Sequence, residues 1–263
     1  MHLQPDKAEN LERARALIRE AVERYRPQCV ALPENFLFFG TPEQVVEAAE
    51  PLDGLAISRL REDARTLQTT LLATLKVRDA QGVRNSTLVI GEDGAIRARY
   101  DKIHVFTAQV GERSFQAVEE GGTSPVVVEV GECRLGLSIC YDVRFPELYR
   151  ALVLMGAEVL MVPALFTFET GRDHWLTLLR ARAIENQCYV LAPAIWGRYP
   201  PHGDRANGRS LAIDPWGVVI AQASDGDGLV PVQVDLEHLR RIRQRMPVLR
   251  QRRPEAYHLV TRR

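Results

Sequence analysis

Apolar positions recur along this chain with two periods, and the switches between them mark out its elements. Over residues 6–26 the spacing is helical: Leu11, Ala14, Ile18, Ala21 and Val22 fall on one face, and Asp6 with Glu9 has the form of a capping box. Cys29-Val30-Ala31-Leu32 is a short apolar run stopped by Pro33, which predicts a buried strand. Residues 54–68 read as a second helix. Residues 70–77, 85–90 and 95–101 read as strands, the last two joined by the turn Gly91-Glu92-Asp93-Gly94.

The second half continues the alternation. Residues 126–130 and 134–139 form a hairpin around Gly131, and Pro146 opens a helix at its first turn. A strand at 158–162, a helix at 173–186 and a strand at 188–192 follow. Three strands near Leu211, Val218 and Val232 precede a helix at 236–244. Hairpins interrupt a pure strand–helix alternation, so the pattern predicts an α/β fold with a mixed sheet or two stacked sheets and helices outside. With no linker and no internal repeat, residues 1–263 read as a single domain, its core ending near residue 245. The tail, 246–263, is basic, yet Pro247, Val248, Leu249, Tyr257 and Leu259 call for a surface to pack on.

Composition narrows the function classes. Lys and Arg total 34 against 34 Asp and Glu, and this balance argues against nucleic acid as the main partner. Hydrophobic residues make up 46% of the chain, enough for a sizeable core, but no stretch approaches the roughly 18 apolar residues of a membrane span. The polar start Met1-His2-Leu3-Gln4-Pro5 lacks the apolar region of a signal peptide, so the expectation is a cytoplasmic protein. Cys29, Cys133 and Cys188 begin apolar runs and read as small buried thiols; no cysteine pair has metal-ligand spacing.

Three predicted strand ends carry reactive side chains, where sheet-based folds gather functional groups. Glu34, after a buried strand and a proline, is placed to be desolvated, which suits a general base. Lys102, in Tyr100-Asp101-Lys102-Ile103-His104, offers a fixed cation for an oxyanion. Either alone reads as an ordinary solvated residue. Cys140 is more informative. It ends the run Leu135-Gly136-Leu137-Ser138-Ile139, and a polar turn and a helix start at Pro146 follow. That arrangement exposes a thiol beside free backbone N–H groups, where a nearby cation lowers its pKa. A Cys/His hydrolase using His104 or His174 is a weaker alternative, because His174 reads as part of a helix start.

Together, Leu32-Pro33-Glu34, Lys102-Ile103-His104 and Cys140-Tyr141-Asp142-Val143-Arg144-Phe145-Pro146-Glu147 resemble the nitrilase (carbon-nitrogen hydrolase) superfamily, in matching order and spacing. The resemblance implies a four-layer α-β-β-α sandwich, a Glu34-Lys102-Cys140 triad without metal or organic cofactor, and a homodimer packed through helical faces. It also implies oxyanion or substrate-binding roles for Tyr141, Arg144, Phe166 and Thr167. The segments 170–175, 179–190 and 214–217 and Arg252-Arg253-Pro254-Glu255-Ala256-Tyr257 are most similar to the branch holding deaminated-glutathione amidases and ω-amidases. The implied substrate is a small 2-oxo acid amide, opened through a thioester. Its carboxylate calls for a cation, for which Arg198, Arg205 and Arg209 lie in a Pro- and Gly-rich loop.

Three departures from the family pattern bear on this. Only His2-Leu3-Gln4 stands where relatives carry a buried strand ending in Gln, which implies a late start or a truncated sheet position. Ala117 occupies the place of an auxiliary glutamate, unless a loop shift brings in Glu119 or Glu120. Gly208-Arg209-Ser210 replaces a usual Gly-His-Ser. The alternatives are an ω-amidase, an N-carbamoyl-amine hydrolase and, from another class, a catalytically impaired binding or scaffold homologue.

Overall fold

The structure, a computed structural model, describes residues 1–110, 113–115 and 117–256. Helix α1 (Lys7–Tyr25) is capped by Asp6, whose side chain accepts the Glu9 N–H, and stops where Arg26 turns left-handed. Then come β1 (Cys29–Ala31), α2 (Pro42–Ala48), α3 (Leu55–Leu67), β2 (Thr70–Asp79), β3 (Gly82–Ile90) and β4 (Ile96–Asp101). A short hairpin, β5 (Ala108–Val110) with β6 (Arg113–Phe115), leads to β7 (Val127–Val130) and β8 (Cys133–Leu137). The remainder is α4 (Pro146–Leu154), β9 (Val159–Met161), α5 (Phe168–Asn186), β10 (Tyr189–Ala192), β11 (Trp196–Tyr199), β12 (Asp204–Asn207), β13 (Leu211–Ile213), β14 (Val219–Gln222) and α6 (Leu236–Arg245).

Two sheets result. One has four strands in the order β1-β2-β3-β4; the other has six, β14-β13-β10-β9-β8-β7. Strand parity assigns their faces. Leu71, Ala73, Leu75 and Val77 of β2 pack with Leu11, Ala14 and Ile18 of α1 and with Ile57 and Leu60 of α3. Leu72, Val89 and Tyr100 point the other way and join the core of the six-stranded sheet, which α4 and α5 cover through Leu148, Leu152, Trp175 and Leu179. The layers are therefore helix, sheet, sheet, helix, as the resemblance implied.

The structure departs from the predicted elements in several places. Helix α5 begins at Phe168, so His174 lies inside a helix rather than at its start. The apolar run near Val232 pairs with nothing regular: Pro231 removes a donor there, and Asp235 at once caps α6. The Pro- and Gly-rich segment is not a plain loop, because Arg198 and Arg205 face each other across the β11–β12 hairpin. Cys29 and Cys133 are only half-buried. At the N-terminus His2 forms a parallel bridge to Trp196 and Leu3 is buried. In the tail, Leu249 packs on the core of its own chain and the Met246 carbonyl accepts from Gln187. Tyr257 and Leu259 lie outside the described residues.

Candidate active site

The three strand ends converge on one cavity of about 350 Å³, lined by Glu34, Lys102 and Cys140 and also by Tyr141, Arg144, Phe166 and Thr167. Each arrives by a different device. Glu34 follows β1 on a chain held to β2 by Leu32 N–H to Leu72 O and Asn35 N–H to Thr74 O. Lys102 follows β4, its own N–H bonded to the Asn85 carbonyl at 2.8 Å. Cys140 turns sharply after β8 with φ at 47°, a left-handed conformation costly for a side chain with a Cβ. Its N–H donates to Pro163 O at 2.9 Å, which stitches the turn to the segment after β9.

Glu34 is the centre of the constellation. One carboxylate oxygen accepts from Lys102 Nζ at 2.8 Å and from Asn85 Nδ2 at 2.8 Å. The other accepts the Leu165 N–H at 2.8 Å, while the Cys140 thiol lies 3.6 Å from the Leu165 carbonyl. All three side chains are buried. Burial and then the Glu34 charge hold the Cys140 thiol well above its ordinary range, and the pull of Lys102 does not overcome them. The lowered thiol pKa expected beside a cation is thus overturned: the desolvated thiol faces a carboxylate as well as an ammonium. For Lys102 burial favours proton loss, but Glu34 and then Cys140 more than reverse it, so the ammonium keeps its proton. The resting site is a neutral thiol beside an ion pair.

The two histidines are engaged elsewhere. His104 contacts Asp142 and stacks on Phe145, and His174 Nδ1 lies 3.2 Å from Arg144. Arg144 is a cation on the cavity wall, its guanidinium over the Tyr141 and Phe166 rings at 5.7 and 5.2 Å. Arg198, Arg205 and Arg209 do not line the cavity: Arg198 bonds the Gly203 carbonyl and Arg205 stacks on Phe168. Thr167 stands at the N-cap position of α5, and its hydroxyl pairs with that of Thr170 rather than with the helix backbone. The loop before β7 does bring a carboxylate to the cavity: Glu119, bonded to Lys76 at 2.7 Å. Glu120 instead pairs with Arg84 at the surface. Asn85 and Lys76 escaped the sequence analysis, although both fall on the sheet face shared with Leu72, where polar side chains need a reason.

A mixed two-sheet sandwich with a thiol, a carboxylate and an ammonium gathered at its strand ends defines a class, the hydrolases that open carbon–nitrogen bonds through a cysteine. Residues 1–244 match the family model described as carbon-nitrogen hydrolase, and the chain belongs to that family. It is 42% identical over 263 residues to a deaminated glutathione amidase of Synechocystis, covering 96% of this chain and 95% of that one. The crystal structure of the Caenorhabditis elegans NitFhit protein superposes with a TM-score of 0.91 at 37% identity; the match covers 98% of this chain and 65% of that longer one. A mutant amidase from Nesterenkonia, 26% identical with a TM-score of 0.79 and coverage of 97% and 92%, shows covalent addition of the acetamide moiety of fluoroacetamide at its active-site cysteine.

Proposed function

We propose that this protein hydrolyses the amide of a small 2-oxo acid, with deaminated glutathione as the substrate to test first, through a Cys140 thioester. The observation that carries the reading is Glu34, buried between the Lys102 ammonium and the Leu165 N–H in the same cavity as the Cys140 thiol. Because the resting thiol is neutral, Glu34 takes its proton as Sγ attacks the amide carbonyl. Lys102 and the Tyr141 N–H hold the oxyanion. Collapse of the tetrahedral intermediate breaks the C–N bond, and the leaving amine takes the proton from Glu34. Glu34 then deprotonates water, which attacks the thioester; the thiolate leaves and recovers the proton.

Arg144 takes the substrate carboxylate in this reading, and Phe166 and Thr167 bound the acyl group. Glu119 fills the place of the auxiliary carboxylate, two residues beyond Ala117, so Ala117 is no argument for impaired catalysis. Residues 1–263 act as one carbon-nitrogen hydrolase domain, supported by the family match over 1–244 and by Leu249 on the same core. The protein works as a homodimer. Leu176 and Ile184 on α5, with Trp216, Val218 and Ile220 beside them, leave an apolar face exposed that suits a second copy.

Release of 2-oxoglutarate and cysteinylglycine from deaminated glutathione, compared with ammonia release from α-ketoglutaramate and from N-carbamoyl amines, tests the substrate. A kcat/KM highest for deaminated glutathione supports the reading; turnover of carbamoyl amines alone rejects it.

A further inference from the structure

Strand β2 places Lys76 on the face of Leu72, between the two sheets, where the mechanism above assigns it nothing. The register sets Lys76 opposite Asn85 on β3, and the Asn85 carbonyl accepts from the Lys102 N–H. Lys76 on β2, Asn85 on β3 and Lys102 just after β4 therefore stand in a row. An ammonium in such a place requires a counter-charge. Glu119 provides it, Nζ to Oε1 at 2.7 Å, with both side chains less than a tenth exposed. The cavity wall thus holds two ion pairs, Glu34–Lys102 and Glu119–Lys76.

We propose that Lys76 is a positioning residue: it fixes Glu119 as a charged wall of the cavity, and Glu119 in turn steadies the protonated Lys102 that faces the oxyanion. The electrostatics agree with the geometry. Burial opposes the ionisation of Glu119, but Lys76 and then Lys102 hold its carboxyl below the ordinary range. Glu119 adds, after Glu34 and Cys140, to the forces that keep Lys102 protonated. Burial pushes Lys76 below the usual lysine range against the pull of Glu119, and Lys102 adds to that push. The other charged or titratable groups on this cavity, among the described residues, are Glu34, Cys140, Tyr141, Arg144, Tyr199, His202 and Asp204.

The proposal rests on the amidase reading in taking Cys140 as the nucleophile and Lys102 as the cation that faces the oxyanion. Its test has two readouts on the full chain: the pH dependence of Cys140 alkylation by iodoacetamide, followed on the Cys140 peptide, and that of kcat/KM on deaminated glutathione. In Lys76→Met, Glu119 loses its main cation: it takes up a proton at higher pH, which should move the acid limb of kcat/KM up by about one pH unit, and where it stays charged it should raise the Cys140 thiol, which moves the alkylation limb up as well. kcat should fall about tenfold with KM within about twofold. Lys76→Arg, which keeps the charge, should restore the limb. Glu119→Gln should cost the same factor in kcat, and combining it with Lys76→Met should add no further loss. An unmoved acid limb, no rescue by arginine, or additive losses would overturn the proposal. A rise in KM alone would also overturn it, by placing Lys76 on the substrate. Should Lys76→Met fail to fold, Lys76→Arg and Glu119→Gln decide: a normal kcat in Glu119→Gln rejects the idea. A shifted alkylation profile in a protein that ignores deaminated glutathione would refute the substrate reading and leave this one standing.

Discussion

His104 Nδ1 lies 2.7 Å from the buried Asp142 carboxylate, and the His104 ring stacks flat on Phe145 with centroids 3.6 Å apart. The same carboxylate accepts from the Tyr100 hydroxyl, the Ile139 N–H and the His104 N–H. One side chain thereby ties the strand end that carries Lys102 to the turn that carries Cys140. The spacing of ammonium and thiol is set by these bonds, outside the cavity itself.

His104→Ala should therefore lower kcat/KM by roughly 10- to 100-fold, with measurable activity remaining, through lost positioning. Asp142→Asn, which leaves one acceptor oxygen for those donors, should cost about 2–4 kcal/mol of stability, read as a lowered denaturation midpoint. A His104→Ala protein as inactive as Cys140→Ala would point to a Cys/His mechanism instead.

The neutral resting thiol has a spectroscopic consequence. The ultraviolet thiolate absorbance of the protein minus that of Cys140→Ala should be near zero at neutral pH. It should rise only as the pH passes above the ordinary thiol range of about 8.5, because a raised pKa keeps the proton on at every lower pH. A thiolate signal at neutral pH would mean that Lys102 dominates Glu34 at the sulfur.

Substrate charge is read by Arg144 in this account. Arg144→Ala should raise KM for 2-oxo acid amides about 10- to 100-fold, the worth of a charge-assisted hydrogen bond pair. Alanine at Arg198 or Arg209, whose side chains do not line the cavity, should leave KM within about twofold. Equal effects at all three positions would remove Arg144 from its role.

Assembly is tested on the exposed apolar face. Ile184 sits against the turn at Gly217, and Arg180 bonds the Gly217 carbonyl, so α5 and the β13–β14 turn form one continuous surface. Sedimentation should show a dimer at micromolar concentration, and Ile184→Glu or Trp216→Glu should give monomer. A monomeric parent protein would reject the dimer.

Much of this is legible in the amino-acid sequence. The three motifs needed only residue order, because each is a strand end whose chemistry is local. The long strands and helices followed from their periods. Less visible are α2, a capped helix of two turns, and β11 and β12, because Gly197 and the Pro200, Pro201 and Gly203 of the turn between them imitate an open loop. The arginines there misled for the same reason: once the segment pairs as a hairpin, Arg198 and Arg205 turn to their own backbone and to Phe168. Glu119 was open as one of two candidates, since only the path of the loop decides which carboxylate turns inward. Lys76 carries a signal of its own, a charge on the Leu72 face of a strand whose opposite face holds Leu71, Ala73, Leu75 and Val77.

The thioester on Cys140 is the central claim, and trapping it is the most direct test. The protein is mixed with deaminated glutathione, quenched in acid during turnover, digested and mapped by mass spectrometry. An acyl adduct of the 2-oxo acid on the Cys140 peptide is predicted, absent from Cys140→Ala, which should also release no product. Continued product release by Cys140→Ala, or an acyl group found on another residue, would contradict the account.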